Sequence, residues 1–130
     1  MAKYRFPKSG KLSSKSDFRK VYDYKLFAKN RLMTLYMAPN QAGKARFAAS
    51  ISSKTAPAFL RNRLKRLARE AFRLSQNEIA AGFDYLLIYS PMLSKRSRSD
   101  IKKITLNEVG KSFMELAEKG QRLFEKRHNK

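Results

Sequence analysis

Arg61, Asn62, Arg63, Lys65, Arg66 and Arg69 fall within nine consecutive residues of the stretch "FLRNRLKRLARE" (59–70), where Glu70 is the only acid. Cations packed this closely repel one another and call for an anionic partner. Arginine outnumbers lysine here, and its planar fork suits phosphate oxygens and guanine edges. Asn62 among the cations adds a group that can reach a base or a sugar. The chemistry indicated is binding, to phosphate above all. Catalytic chemistry is much harder to assemble. The chain has no Cys, and its one His, His128, lies near the C-terminus, so a nucleophile–base pair and a thiolate or His-rich metal site are missing. The ten acids are scattered along the chain, and no two are spaced to hold a pair of metal ions for phosphodiester cleavage.

The helix that must position these cations opens at Pro57, a residue suited to a first turn, and its pattern runs to about Ala81, before Gly82. On a helical wheel with Leu60 at zero, Leu64, Leu67, Ala71 and Leu74 fall within roughly 40° of it and predict the buried stripe. Asn62, Lys65, Arg66, Arg69 and Arg73 fall on the opposite side, and Arg61 and Arg63 on the flanks. A solvated face would interleave acids at i, i+4, yet only Glu70 and Glu78 are at hand. The phosphate-binding face is the stronger of the two readings.

The rest of the composition agrees. Thirty Lys and Arg against ten Asp and Glu give +20 over 130 residues. That excess exceeds what solubility needs and points to a polyanion, nucleic acid first, bound with strong salt dependence. An anionic membrane surface would ask for an amphipathic anchor, and none stands out. No signal peptide is expected, and the longest apolar run, Tyr85–Tyr89, is far too short to span a membrane. The cations cluster at 3–31, 54–73 and 95–103.

Residues 1–13 read as extended, with 1–10 and 121–130 expected to be disordered. "SKSDFRKVYDY" reads as a helix capped by Ser14 or Ser16, with Phe18, Val21 and Tyr22 on one face. "RLMTLYMAP" alternates as a strand, and "RFAASIS" reads as a second strand. The short "PNQAGKA" turn predicts that these two form an antiparallel hairpin. "DYLLIYS" is nearly all apolar and reads as a central strand. "MLSKRSRSD" reads as a basic loop. The last helix spans "DIKKITLNEVGKSFMELAEKGQ", with Gly110 as a possible break. The order α-β-β-α-β-α, with room for a small extra strand, predicts a single α+β domain with helices packed on a small sheet.

At this point the chain resembles a known family. "RNRLKRLAREAF" at 61–72, behind two strands and behind "SDFRKVY" at 16–22, is similar to the bacterial ribonuclease P protein subunit over roughly Lys11 to Glu118. In place of the family's usual Lys-Lys pair and glycine, this chain has Ser53, Lys54 and Ala56. The resemblance implies an α/β sandwich with a left-handed βαβ crossover, which topology rules disfavour. It implies a protein that assists a catalytic RNA in removing the 5′ leader of precursor tRNA, with the chemistry done by Mg2+ held mainly by that RNA. The expected partners are the catalytic RNA, one-to-one with a monomeric protein, and precursor tRNA; the expected location is the cytoplasm. By motif position, Arg61, Asn62, Arg63, Lys65, Arg66, Arg69 and Arg73 meet the catalytic RNA. Phe18, Tyr22, Tyr36 and Lys54 meet the leader, and no catalytic or metal residue is implied.

The aromatics also admit a reading without the resemblance. Phe18, Tyr22, Tyr36 and Phe47, flanked by cations, could stack on unpaired bases or could fill the core. The tyrosine hydroxyls favour a wet edge for Tyr22 and Tyr36. Two other functions stay open from the residues alone: a structural RNA-binding protein such as a ribosomal protein, and a protein-only nuclease.

Overall fold

Ser14 starts the first helix of the computed structural model, which describes residues 11, 12 and 14–128. Its hydroxyl accepts the Asp17 amide at 3.0 Å and caps α1 (Lys15–Asp23). Strands β1 (Leu26–Lys29), β2 (Met33–Pro39) and β3 (Arg46–Ser50) follow. Then come α2 (Ala58–Ser75), β4 (Phe83–Tyr89), a 3-10 turn (Pro91–Lys95), α3 (Arg98–Lys102) and α4 (Leu106–His128). The four strands form one mixed sheet in the order β1-β2-β4-β3. Helices α2 and α4 pack on one face and α1 on the other. The predicted α+β class holds, and β1 is the small extra strand. The reading of residues 1–10 as disordered lies outside the described residues.

The expected β2–β3 hairpin is wrong. β4 lies between the two strands, antiparallel to β2 and parallel to β3. Residues 40–45 cross two strand spacings, roughly 10 Å, an easy reach for six residues. The reason for the insertion lies in β4 itself. Phe83, Tyr85, Leu87 and Tyr89 face the α2–α4 side, while Asp84 points to the α1 side and is buried. A buried carboxylate needs partners. Arg46 of β3 grips it with a fork at 2.7 and 2.8 Å, and Asn40, just after β2, donates to it at 2.7 Å. Those contacts come from both sides and hold β4 in the middle.

Helix boundaries also shift. α2 ends at Ser75 rather than near Ala81. Gly82, with φ +77°, serves the turn into β4 instead of ending the helix. Residues 92–100, read as a loop, contain most of the 3-10 turn and the start of α3. The last helix breaks at 103–105 and not at Gly110: Thr105 accepts the Glu108 amide at 3.1 Å and starts α4 afresh. α4 then continues to His128, so residues 121–128 are helical rather than disordered.

The main core is aromatic. Phe47 stacks on Phe72 with centroids 4.7 Å apart, and Phe113 meets both edge-on. The alternative of Phe47 as a base-stacking residue is excluded, because its ring is buried here. Tyr85 and Tyr89 donate their hydroxyls to the Ala80 and Leu64 carbonyls, each at 2.7 Å. Burial pushes both phenols well above their ordinary pKa. A smaller cluster of Leu12, Val21, Ala38, Ala48 and Leu86 lies under α1.

Candidate nucleic-acid interface

Strands β1, β3 and β4 run the same way and finish at one end of the sheet, where β2 begins. The β1–β2 turn, the β3–α2 loop and the segment after β4 all lie at that end, and α2 starts there. Topology thus gathers Lys29, Arg31, Lys54, Arg61, Asn62 and Arg96 from three separate stretches of sequence. The first turn of α2 holds no acid, so the positive end of its dipole is not offset and favours an anion.

The separation of α2 into two faces is real, but rotated. Leu60, Leu64, Ala68, Ala71, Phe72 and Ser75 are buried, whereas Leu74, expected in the stripe, is 57% exposed. On the wheel the buried direction moves about 50° toward Phe72. The helix packs against both β3 and α4, and the Phe47–Phe72–Phe113 cluster sets the angle. Seven predicted RNA-facing residues consequently divide. Asn62 and Arg66 are exposed, and Lys65 and Arg69 half-buried. Among the described residues none of these three cations has a carboxylate within ion-pair distance. Arg73 instead pairs with Glu70, one turn away, and holds that carboxyl below its usual pKa. Arg61 donates to the Ala56 carbonyl at 3.0 Å, steadying the loop ahead of its own helix.

Arg63 points elsewhere. Its Nη2 donates to the Ile104 carbonyl at 2.7 Å, between α3 and α4, and its Nη1 is buried without a hydrogen-bond partner among the described residues. It ties α2 to the start of α4. Arg63→Ala will lower the unfolding free energy by about 1–3 kcal/mol, by stranding the Ile104 carbonyl. Urea denaturation of this variant beside Arg66→Ala, whose exposed side chain makes no such contact, checks the difference; equal midpoints would contradict it.

On the other face of the sheet, three rings form a surface. Tyr22 and Tyr36 have centroids 4.8 Å apart, and Phe27 lies 5.3 Å from Tyr36. Tyr22 is 52% and Phe27 44% exposed. Burial, and then the neighbouring Tyr22, raise the Tyr36 phenol above its ordinary pKa. Phe18 is half-buried against the small cluster under α1 and forms a wall of a groove shared with Lys11 and Arg69. Arg69 thus reaches from the cationic helix face to the α1 side of the sheet, around the β3 edge. Lys54 is exposed in the β3–α2 loop, among the cations at the sheet end rather than against the rings.

Phe27 is the member of this surface that the sequence reading missed. "LFAK" alternates buried and exposed in the structure, but its sequence does not alternate, and four residues are a short stretch for a strand assignment. Among the described residues no three His, Asp or Glu side chains converge as metal ligands, and no helix is long and apolar enough to cross a membrane.

The family model for ribonuclease P matches residues 6–124. The chain belongs to the ribonuclease P protein family. It is 32% identical over 115 residues to the ribonuclease P protein component of Clostridioides difficile, spanning 88% of this chain and 94% of that one. It is 34% identical over 100 residues to that of Desulforamulus reducens, spanning 77% and 88%. Among solved structures, the Thermotoga maritima RNase P protein superposes with a TM-score of 0.70 at 24% identity, over 81% of this chain and 92% of the other. The Staphylococcus aureus RNase P protein gives 0.68 at 23%, over 82% and 91%. These two likenesses establish the fold. As a ribonuclease P protein, the chain is the protein component of the ribonucleoprotein that matures tRNA 5′ ends. The ribosomal-protein alternative is not favoured.

Proposed function

We propose that this ribonuclease P protein uses two surfaces at once. The outward face of α2, with Asn62, Lys65, Arg66 and Arg69, binds the catalytic RNA. The aromatic surface of Tyr22, Phe27 and Tyr36, with Phe18 one turn before Tyr22 on α1, binds the single-stranded 5′ leader of precursor tRNA, and Lys54 meets that strand from the sheet end. The observation that carries this reading is the exposure of Tyr22 and Phe27 on either side of a half-buried Tyr36, on a sheet face whose neighbouring loops are rich in cations. Unpaired bases stack on such rings without regard to sequence, and a leader has no fixed sequence to be read. A duplex would offer no free base faces. Binding of leader and catalytic RNA to one small protein brings the scissile bond and the RNA together, which raises affinity without a protein catalytic group. Mg2+ is assigned mainly to the RNA, the protein to the cytoplasm, and the assembly to one monomeric protein per RNA.

Reconstitution tests the reading. The protein, a bacterial ribonuclease P RNA and a precursor tRNA are mixed at low magnesium, and 5′ leader removal is followed on a gel. Cleavage is expected with both components and not with the protein alone. No stimulation over the RNA alone would overturn the proposal, and cleavage without the RNA would point to a nuclease centre in the protein.

A further inference from the structure

A groove of about 720 Å³ opens at the same end of the sheet, between the β1–β2 turn and the 3-10 turn after β4. Lys29, Arg31 and Arg96 line it, and no acid does. All three are exposed, and none has a carboxylate within ion-pair distance among the described residues. Its walls are tied together. Asn30 Oδ1 accepts the Leu32 and Met33 amides at 2.9 and 3.0 Å, and the Ser90 amide donates to the Leu32 carbonyl at 2.9 Å. The groove is thus shaped by the Asn30 side chain and by backbone contacts, and not by its cations.

Its place in the fold supplies the ligand. Phe27 and Lys29 lie two residues apart on the outward face of β1, and their cross-strand partners Tyr36 and Thr34 lie two apart on β2. The groove therefore begins one pleat, roughly 7 Å, beyond the aromatic surface and on the same face of the sheet. Its chemistry changes in the same step, from rings to cations. Rings suit bases and cations suit the phosphates between them. Lys29 ends β1, Arg31 lies in the β1–β2 turn, and Arg96 comes from the segment after β4, which the sequence reading took for a basic loop.

We propose that this groove is a second leader subsite, taking the phosphates of the strand as it leaves the aromatic surface, farther from the cleavage point. The inference rests on the leader-binding reading above. In it, Lys29, Arg31 and Arg96 read charge and spacing, not base identity. Leaders that end at the aromatic surface never reach them, while longer leaders gain their contribution.

A leader-length series tests this with the reconstituted holoenzyme. Precursor tRNAs with leaders from about two to about twelve nucleotides, spanning the roughly 4–16 nucleotides that a single-strand site covers, are bound under non-cleaving conditions at several salt concentrations. The triple variant Lys29→Ala, Arg31→Ala, Arg96→Ala is expected to bind long-leader precursors about tenfold more weakly, with a salt slope reduced by about two units, as for lost phosphate contacts on a single strand. Short-leader precursors and mature tRNA should bind as they do to the unaltered protein. Arg31→Lys with Arg96→Lys should restore most of the loss, because charge is what is read. A loss equal at all leader lengths would overturn the proposal and place these cations on the catalytic RNA or on the tRNA body; no loss at any length would overturn it outright. Tyr22→Ala with Tyr36→Ala, run in parallel, separates the two levels. If that pair also leaves leader binding intact, the leader reading itself fails; if it weakens leader binding and the triple variant does not, only the groove does. Thermal melting of the triple variant, expected to be unchanged, keeps a folding defect from passing as a binding one.

Discussion

Tyr22→Ala with Tyr36→Ala will weaken holoenzyme binding of a leader-bearing precursor by roughly ten- to a hundredfold, while mature tRNA binds as before. The magnitude follows from one well-stacked base, about 1–3 kcal/mol, at about 1.4 kcal/mol per factor of ten. The geometry makes the pair the right target. The two rings are 4.8 Å apart, and Tyr22 is half exposed. Removing one would leave the other, with Phe27 beside it, able to hold a base. Tyr22→Phe with Tyr36→Phe should retain most of the affinity, since stacking uses the ring face. Equal losses for precursor and mature tRNA would show that the rings serve the fold or the catalytic RNA instead. Fluorescence anisotropy with labelled precursor and labelled mature tRNA reads both quantities.

Arg66→Ala with Arg69→Ala has the next largest expected effect, and its signature is different. Affinity of the protein for the catalytic RNA should fall, and the slope of log affinity against log salt should flatten by about one unit per lost contact. The loss should not depend on whether a leader is present. Arg66 is exposed and has no ion-pair partner among the described residues, and Arg69 lies half-buried beside Phe18 at the β3 edge. Neither donates a side-chain hydrogen bond to the fold among the described residues, in contrast to Arg61 and Arg63. Filter binding to the RNA across a salt series is the measurement. An unchanged slope would mean that these arginines do not touch phosphate.

Much of this was legible in the sequence where local chemistry decides. Ser14 caps α1 as its residue type predicts, the apolar run of β4 lies in the middle of the sheet, and α2 does divide into a core face and a cationic face. Pairing of strands was not legible, because adjacency depends on what inserts between two strands, and the fork from Arg46 to Asp84 joins residues 38 apart. A wheel places residues relative to one another but not relative to the rest of the molecule. The pull of Phe47 and Phe113 on Phe72 turned α2, exposed Leu74 and sent Arg63 toward Ile104. Phe27 escaped for the opposite reason. Its strand is too short to announce itself, and it exists because β2 offers it an edge.

One more consequence lies in how the chain distributes its tyrosines. With no tryptophan present, ultraviolet emission from this molecule is tyrosine emission. Tyr85 and Tyr89 are sealed in the core with their hydroxyls on backbone carbonyls, and Tyr24 lies beneath the guanidinium of Arg127. Among the described tyrosines, Tyr22 and Tyr36 are the emitters that a stacked nucleobase would touch. The unlabelled protein therefore holds an optical reporter at the surface where the leader is expected, and a titration in a fluorimeter can follow occupancy of that surface without attaching a dye to either partner.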